Sequence, residues 1–288
     1  MKKIIIKSPL RYPGGKSRAL KRILPLIPEY SEFREPMVGG GSVFFALKQK
    51  YPNKTYWIND IDTELYYFWK YCKENPNGLI SEIKRLKRKY RNGKQLYTYL
   101  VSSKLHKESW TSLQRAARFF VLNRITFSGL TESGGYSEEA FKTRFTSSSL
   151  KRIRKASKLL KKVKITNTDY SELIRQTGRK VFIFLDPPYY SNSKSKLYGY
   201  RGELHIKFNH SKFFKEIATC KHKWLVTYDN CSKIQKLFNS ESYRGWSKLN
   251  WCLQYGTNNS KDSEERKAKI GKELFILNYK LKLIKYNT

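Results

Sequence analysis

The chain has 288 residues, 39% of them hydrophobic and 15% aromatic, which suffices to bury a substantial core and excludes a disordered tail. Its 59 Lys and Arg residues against 23 Asp and Glu give a formal net charge of +36, so a polyanionic partner would relieve the self-repulsion of the folded chain. Duplex DNA, RNA and an anionic membrane surface all fit this charge, and a Lys-rich proteome of low genomic GC content is an alternative source of it.

The first motif is the basic turn RYPGGK at residues 11–16. A Lys side chain fixed by a Gly-Gly turn could pair with a carboxylate on a ligand. The hexapeptide lacks the pattern of a phosphate-binding P-loop, so ATP is not indicated. Taken alone, a basic N-terminal turn without a ligand explains the motif equally well.

The second motif is the glycine-rich segment EPMVGGGSVFF at residues 35–45. A short strand is predicted at 33–35 and a helix opening at 42–48, and glycines between them let the backbone approach a ligand closely. Such a turn by itself is compatible with a dinucleotide site or a structural turn. Asp60 follows the next predicted strand about 20 residues on, where an acidic side chain can bind ribose hydroxyls. Together the two features favour a nucleoside site.

A basic middle section carries helical spacing in three stretches, 79–90, 110–124 and 150–162. A Gly/Ser/Thr-rich loop is predicted between the last two, at 129–146. We therefore expect an inserted, mostly helical domain at 65–160, while 1–64 and 161–288 form one α/β domain.

Three continuous β-favouring runs, at 56–58, 181–185 and 224–228, each lead to an Asp: Asp60, Asp186 and Asp229. Continuous apolar strands are typical of a parallel sheet that is covered on both faces. In open α/β sheets, ligands bind at the carboxyl ends of the strands. The sequence therefore predicts an α/β fold with its site at this edge.

The strongest chemical signal is Asp186-Pro187-Pro188-Tyr189, directly after the second of these runs. The prolines stiffen the chain and leave carbonyls that only accept hydrogen bonds. A carboxylate and a carbonyl would together hold both hydrogens of an exocyclic amino group, and the Tyr ring offers a stacking face to a planar base. The alternative is an ordinary strand-to-loop turn.

Six segments in this order resemble the Dam-like adenine-N6 DNA methyltransferases of the α-type motif order. They are RYPGGK at 11–16, REPMVGGGSVFF at 34–45, NDID at 59–62, LNRITFSGL at 122–130, TNTDYSEL at 166–173 and LDPPYY at 185–190. The resemblance covers nearly the whole chain, including the placement of the helical insert. It implies a Rossmann-like S-adenosylmethionine-dependent methyltransferase fold with an inserted target-recognition domain.

The resemblance also implies the roles of individual residues. S-adenosylmethionine would be bound by Tyr12, Gly15, Lys16, Glu35, Gly39, Gly41, Asp60, Asp169, Tyr170 and Asp186. The catalytic residues would be Asp186, Pro187, Pro188 and Tyr189, which hold a flipped adenine.

Double-stranded DNA is the partner that the resemblance implies, and the insert would bind it. Arg124 would contact a backbone phosphate, Phe127 would wedge beside the extruded base, and Ser128 would also bind DNA. Further candidate phosphate contacts are Arg144, Arg152, Arg154 and Lys155, for each of which a solvated helix face is an equal alternative. The enzyme is expected to be monomeric, with a cognate restriction endonuclease as a possible partner.

Two departures from the family pattern stand out. The first turn has Tyr12-Pro13 where Dam-type enzymes commonly have Trp-Ala. After Leu130 the sequence is TESGG, without the basic residue that relatives reading GATC place there, and Glu132 would accept from a cytosine amino group. The resemblance therefore does not extend to GATC recognition.

Rival chemistries remain at this point. Cytosine-N4 transfer usually comes with Ser in place of Asp186, and an RNA or protein amino-methyltransferase or a catalytically silent DNA-binding module are further alternatives. Cytosine-C5 methylation needs a nucleophilic Cys in a Pro-Cys loop, which none of the four cysteines provides.

The four cysteines lack zinc or disulfide spacing and are interpreted as reduced thiols, and the four His residues show no metal-ligand spacing, so no metal is predicted. The start at 1–7 is too short for a signal peptide, and no apolar run reaches spanning length. We expect a cytoplasmic protein of bacterial or phage origin.

Overall fold

The computed structural model describes residues 6–102, 109–131, 133–190, 208–238, 246–254 and 270–281. Its strands are β1 (Glu32–Glu35), β2 (Thr55–Asn59), β3 (Lys164–Thr166), β4 (Val181–Leu185), β5 (Lys223–Asp229), β6 (Ser247–Gln254) and β7 (Ile270–Leu277). Its helices are α1 (Leu20–Ile23), α2 (Ser42–Lys50), α3 (Thr63–Glu74), α4 (Pro76–Lys89), α5 (Gly93–Ser102), α6 (Ser112–Ile125), α7 (Glu138–Arg144), α8 (Ser147–Leu160), α9 (Tyr170–Arg175), α10 (His210–Ala218) and α11 (Ser232–Phe238).

The strands form one sheet in the order β3-β2-β1-β4-β5-β7-β6. Strands β1 to β5 are parallel, and β7 pairs antiparallel with both β5 and β6. All five residues of β4 are buried, as its uninterrupted apolar sequence predicts for a strand covered on both faces. The strand order reverses between β1 and β4, and this opens a crevice at the carboxyl ends of these strands.

Helices α3 to α8 all lie in sequence between β2 and β3. Helix α6 is their central element: every residue from 116 to 125 is buried, and a capping box of Thr111 and Gln114 starts the helix. Its apolar side chains belong to the same buried cluster as those of β1, β2 and α2. The helical insert thus shares a continuous core with the sheet, and its boundaries at 65 and 160 stay a prediction.

The α/β class is confirmed, and the strand predicted at 181–185 has the same bounds in the structure. The three predicted helices are present as α4, α6 and α8, with ends shifted by one to three residues. The loop predicted at 129–146 is wrong in part, because α7 occupies 138–144. Ser137 caps this helix by accepting from the Ala140 N–H, and Ala140 and Phe145 are buried.

Glu132, the departure noted above, lies outside the described residues, as do 194–207, 239–245 and 255–262 of the segment 194–262, to which the sequence assigns no role. Among the residues described, no helix combines the length and the apolar composition that crossing a membrane requires.

A buried arginine ties β1 to the segment that leads into β4. The Arg34 side chain is 1% exposed. Its Nη1 donates to the carbonyls of Leu173 (2.7 Å) and Gln176 (2.5 Å), and its Nη2 donates to that of Thr177 (2.8 Å). Its Nε donates to Glu32 at 2.6 Å. The guanidinium therefore satisfies three carbonyls that end α9.

We expect Arg34→Met to destabilise the protein by about 2 kcal/mol, because the buried Leu173 carbonyl loses its donor and the part-buried carbonyls of Gln176 and Thr177 each lose one hydrogen bond. The same substitution at Arg85, whose partner Glu82 lies on the surface of α4, is expected to cost less than about 1 kcal/mol. Urea unfolding of both variants measures the difference. Equal losses of stability in the two would contradict the structural role of Arg34.

Candidate active site

A cavity of about 490 Å³ lies at the carboxyl ends of β1, β2 and β4. It is lined by the two glycine-rich turns, by the residues that follow the strands, and by the start of α10. All ten residues predicted to bind the cofactor line it: Tyr12, Gly15, Lys16, Glu35, Gly39, Gly41, Asp60, Asp169, Tyr170 and Asp186. The structure therefore brings together segments that lie up to 174 positions apart in the chain, from 12 to 186.

The glycine turn after β1 is shaped by the ring of Tyr12. Gly39 and Gly41 have positive φ angles of 46° and 66°. A Cβ atom on Gly39 would lie 2.6 Å from the Tyr12 ring, and one on Gly40 would lie 2.8 Å from the Tyr12 Cβ. The sequence predicts that glycine admits a ligand here. In the structure, the side chain closest to the Cβ positions of Gly39 and Gly40 is that of Tyr12, which in turn lines the cavity.

The carboxylate of Asp60 closes the glycine turn from the side of β2. It accepts hydrogen bonds from the N–H groups of Gly39 (2.9 Å) and Asp62 (3.1 Å). Asp62 in turn caps α3 by accepting from Glu64 N at 2.9 Å. Burial raises the pKa of Asp60 to about 6, and burial together with the charge of Asp60 raises the pKa of Asp62 to about 7.

Glu35, at the end of β1, is 3% exposed and accepts from the Phe44 N–H at 3.0 Å. Burial raises its pKa well above the ordinary value, and the nearby charges of Asp186 and Asp60 add to this. Three carboxyl groups of the cavity, those of Glu35, Asp60 and Asp62, thus resist ionisation. A bound cation would lower their pKa values and favour the ionised form.

The cavity is acidic although the chain is strongly basic. Its lining includes five acidic side chains, those of Glu35, Asp60, Asp62, Asp169 and Asp186, against the two ammonium groups of Lys16 and Lys212. The chain as a whole carries a formal charge of +36. This balance favours a ligand with positive charge over a nucleotide phosphate.

The segment after β4 places its acid at the inner wall of the cavity. Asp186 accepts from Lys16 Nζ at 2.7 Å and from Thr227 Oγ1 at 2.6 Å. Asp186 and Pro188 line the cavity, whereas Pro187 and Tyr189 stand beside it. Sequence reasoning paired Lys16 with a carboxylate of a ligand; in the structure its partner is Asp186, and pairing with a ligand stays a prediction.

The sequence analysis does not identify the residues that hold the Tyr189 side chain in place. Its hydroxyl donates to Glu273 on β7 at 2.5 Å, and its ring lies nearly parallel to that of Tyr228, at 17° and 6.0 Å between centroids. Glu273 is 1% exposed and Thr227 is fully buried. An acid within the apolar segment 270–277, and a Thr within the run 224–228, were the signals available in the sequence.

The residues predicted to bind DNA divide into buried and exposed groups. Arg124 on α6 is 2% exposed, and its Nε and Nη2 have no hydrogen-bond partner. Burial, followed by the charges of Arg152, Arg11 and Arg144, lowers its pKa to about 9. We call these four residues the arginine cluster; of its members, Arg144 and Arg152 are exposed.

The remaining predicted DNA contacts lie on the surface. Arg154 and Lys155 are exposed on α8. Phe127 is 60% exposed, and Ser128 beside it has a φ of 54° in the left-handed region. Phe127 is therefore presented to solvent on a loop whose backbone is conformationally constrained.

A family model described as D12 class N6 adenine-specific DNA methyltransferase matches residues 12–250 of the chain. The chain is 30% identical to the type II methyltransferase M.MjaIII of Methanocaldococcus jannaschii over 204 residues, 64% of this chain and 69% of that protein. It is also 30% identical to the type II methyltransferase M1.LlaDCHI of Lactococcus lactis over 207 residues, 68% and 70% of the two chains. The DNA N-6-adenine-methyltransferase of Escherichia phage P1 is 26% identical over 245 residues, 83% of this chain and 32% of that protein.

The raised pKa of Asp62 makes a prediction about stability. Because the folded protein holds this proton more tightly than the unfolded chain, ionisation of Asp62 destabilises the fold as the pH rises through about 7. Asp62→Asn keeps an oxygen that caps α3 but never ionises. Between pH 5 and the folded pKa of about 7, the parent loses about 1.4 kcal/mol per pH unit, so we expect the stability of this variant relative to the parent to increase by about 2 to 3 kcal/mol between pH 5 and pH 8.

Urea unfolding at both pH values measures this difference. Glu138→Gln is the pH-independent control: the hydrogen bond from Tyr136 lowers the pKa of Glu138, so this group is ionised in both the folded and the unfolded chain at pH 5 and at pH 8, and the relative stability of the variant should not change between them. An Asp62→Asn variant whose relative stability is the same at pH 5 and pH 8 would show that Asp62 ionises freely.

Proposed function

Because the chain belongs to the D12 class of N6 adenine-specific DNA methyltransferases, we propose that S-adenosylmethionine is its methyl donor and that the cavity at β1, β2 and β4 binds it. The protein is an adenine-specific DNA methyltransferase, and DNA is its substrate. The donor, the residues that carry the transfer and the partners of the enzyme are the parts proposed here.

The observation that carries the proposal is that Asp186 lines the same cavity as Glu35 and Asp60. An acceptor for a base amino group and a surface suited to a cation therefore share one wall. S-adenosylmethionine supplies a methyl group on a positively charged sulfur, and its amino acid part adds an ammonium group. The excess of carboxylates fits both charges, and the volume lies in the range of small-molecule sites.

Each part of the cavity has a group suited to part of the donor. Asp60 is placed to accept from ribose hydroxyls, as an acid after the second strand does in nucleoside sites. Asp169 and Tyr170 begin α9 at the far end and would contact the donor's adenine. Glu35 and the glycine turn, with Tyr12 packed on it, would face the amino acid part, beside Gly15 and Lys16.

Asp186 and the Pro187 carbonyl would accept the two hydrogens of the adenine amino group. A carboxylate has about four acceptor positions, so the hydrogen bonds from Lys16 and Thr227 leave room for a further donor. With both hydrogens held, the nitrogen lone pair points along one direction, and alignment with the methyl group is the main catalytic contribution. Tyr189, fixed by Glu273, would stack on the base.

Adenine must leave the duplex to reach this wall, which costs a few kcal/mol. Phe127 is the candidate wedge, because it is 60% exposed and directly follows Thr126, whose carbonyl accepts from Arg11 of the arginine cluster. Ser128 would contact the DNA beside it. Arg124, Arg144, Arg152 and Lys155 would bind backbone phosphates.

In domain terms, 1–64 and 161–288 would be catalytic, and 65–160 would recognise the target. The enzyme is proposed to act as a monomer. The relatives in Methanocaldococcus jannaschii and Lactococcus lactis are named type II methyltransferases, which supports a cognate restriction endonuclease as a partner.

Asp186→Asn tests the catalytic assignment. The amide keeps an oxygen for Lys16 but puts a donor where the base donates, so kcat should fall about 100-fold or more while the donor still binds. The same substitution at Asp169, on the far side of the cavity, should raise the KM for the donor and leave kcat at saturation nearly unchanged. Methyl transfer is followed by mass spectrometry of digested product.

The same spectra identify the product. N6-methyladenine in DNA is expected; N4-methylcytosine or labelled RNA would each refute the assignment of the base site. Full activity of Asp186→Asn would remove Asp186 from the mechanism.

Two buried arginines of α6 form a matched pair for testing DNA binding. Arg124 has unpartnered nitrogens, whereas Arg118, equally buried, donates to the Leu100 carbonyl at 2.7 Å. Arg124→Met should lower DNA affinity about 10-fold or more and reduce the salt dependence by about one phosphate contact, without loss of stability. Arg118→Met should instead destabilise the fold and leave DNA affinity unchanged.

Fluorescence anisotropy over a range of salt concentrations and thermal unfolding measure the two properties. If Arg124→Met binds DNA as tightly as the parent, the buried guanidinium of Arg124 does not bind a backbone phosphate.

A further inference from the structure

The buried side-chain amide of Asn123 hydrogen-bonds to two segments of the chain, one at Arg11 and one at Gly129. The first leads to the proposed donor site and the second to the proposed DNA site. Asn123 on α6 is 1% exposed. Its Oδ1 accepts from the Arg11 N–H at 2.9 Å, and its Nδ2 donates to the Arg11 carbonyl at 2.6 Å. The same Nδ2 donates to the Gly129 carbonyl at 3.0 Å. All three bonds go to backbone atoms, so they fix main-chain positions and not side-chain rotamers.

The two segments also touch each other directly. Gly129 has a φ of 78°, and a Cβ atom there would lie 2.4 Å from the Arg11 carbonyl oxygen. Arg11 Nη1 donates to the Thr126 carbonyl at 3.2 Å. This close approach requires glycine, and it leaves no gap in which the segments could shift independently.

Each joined segment leads to a different part of the proposed site. The first continues from Arg11 into Tyr12, which packs on Gly39 and lines the cavity, and into Lys16, which pairs with Asp186. The second is the exposed loop Phe127–Gly129, which presents Phe127 to solvent. Arg11 itself also belongs to the arginine cluster.

We propose that Asn123 is a positioning residue that couples the binding of DNA at the exposed loop to the binding of the methyl donor in the cavity. The proposal rests on the function given above. DNA that displaces Phe127 or engages the arginine cluster moves or orders the backbone at Arg11, and this sets the position of Tyr12 against the glycine turn. Coupling of this kind is reciprocal, so each ligand raises the affinity for the other by one factor.

The test measures that factor. The Kd of S-adenosylhomocysteine is determined by calorimetry with and without saturating, sheared, unmethylated genomic DNA, and the Kd of the DNA is determined with and without S-adenosylhomocysteine. The parent should show a coupling factor of about 5 or more in both directions. Asn123→Ala should reduce the factor to about 1, while the Kd of each ligand alone changes less.

The chain offers a matched control in Gln49. Its side-chain amide also binds a backbone residue of the N-terminal segment, accepting from Ile6 N–H and donating to the Ile6 carbonyl, each at 2.8 Å. Those bonds run to α2 and contact no part of the exposed loop. Gln49→Ala should therefore keep the coupling factor of the parent, although it removes the same number of bonds to Ile6 as Asn123→Ala removes to Arg11.

Gly129→Ala disrupts the contact between the exposed loop and Arg11 while leaving Asn123 intact, because the added Cβ atom would clash with the Arg11 carbonyl oxygen. This variant should also abolish the coupling. The proposal is overturned if the parent shows no coupling, if Asn123→Ala retains it, or if Gln49→Ala loses it equally. A protein that does not bind S-adenosylhomocysteine at all refutes the proposed donor, whereas binding that ignores DNA refutes only the coupling.

Discussion

The ion pair between Lys16 and Asp186 is the interaction on which the site depends. Lys16 is 4% exposed and its ammonium also donates to the Gly14 carbonyl at 2.9 Å, so the charge is both paired and hydrogen-bonded. The pair closes a loop of 170 residues and fastens the N-terminal turn, which lies in no strand or helix, to the end of β4. Without it, the glycine turn would lose the Tyr12 ring that shapes it, and Asp186 would lose its counter-charge.

Behind this pair stands a buried layer that keeps the catalytic segment in place. Thr227 and Glu273 lie on the neighbouring strands β5 and β7, and each donates to or accepts from a side chain of the Asp186–Tyr189 segment. The antiparallel addition of β7 to a parallel sheet thus has a chemical consequence, since it brings an acid behind the Tyr189 hydroxyl. A segment whose two prolines make few hydrogen bonds of its own is instead held through its flanking side chains.

The sequence predicted those parts of the fold whose signal is local. Strand β4 was placed correctly because five consecutive apolar residues next to Asp186 leave few alternatives. Helix α7 was missed because Gly and Ser around it resemble a loop, and its stability comes from packing of Ala140 and Phe145 on the insert. The six-segment resemblance located the cavity lining well, since it records contacts between distant segments. It did not indicate Asn123, Thr227 or Glu273 as part of the site, because their roles come from partners far away in the sequence.

The free protein buries acidic groups in one place and a basic group in another, and in both places the fold opposes the charged form. In the cavity, burial raises the pKa of Glu35, Asp60 and Asp62, so the fold bears a cost for each carboxylate that ionises. In the arginine cluster, the buried Arg124 keeps two nitrogens without partners, and its pKa is lowered. Each place is the electrostatic complement of one ligand, the DNA substrate or the proposed cationic methyl donor. The two places are joined through Arg11, which belongs to the cluster and precedes Tyr12 in the cavity wall. The coupling proposed above would therefore run through this backbone, from the charges at one place to those at the other.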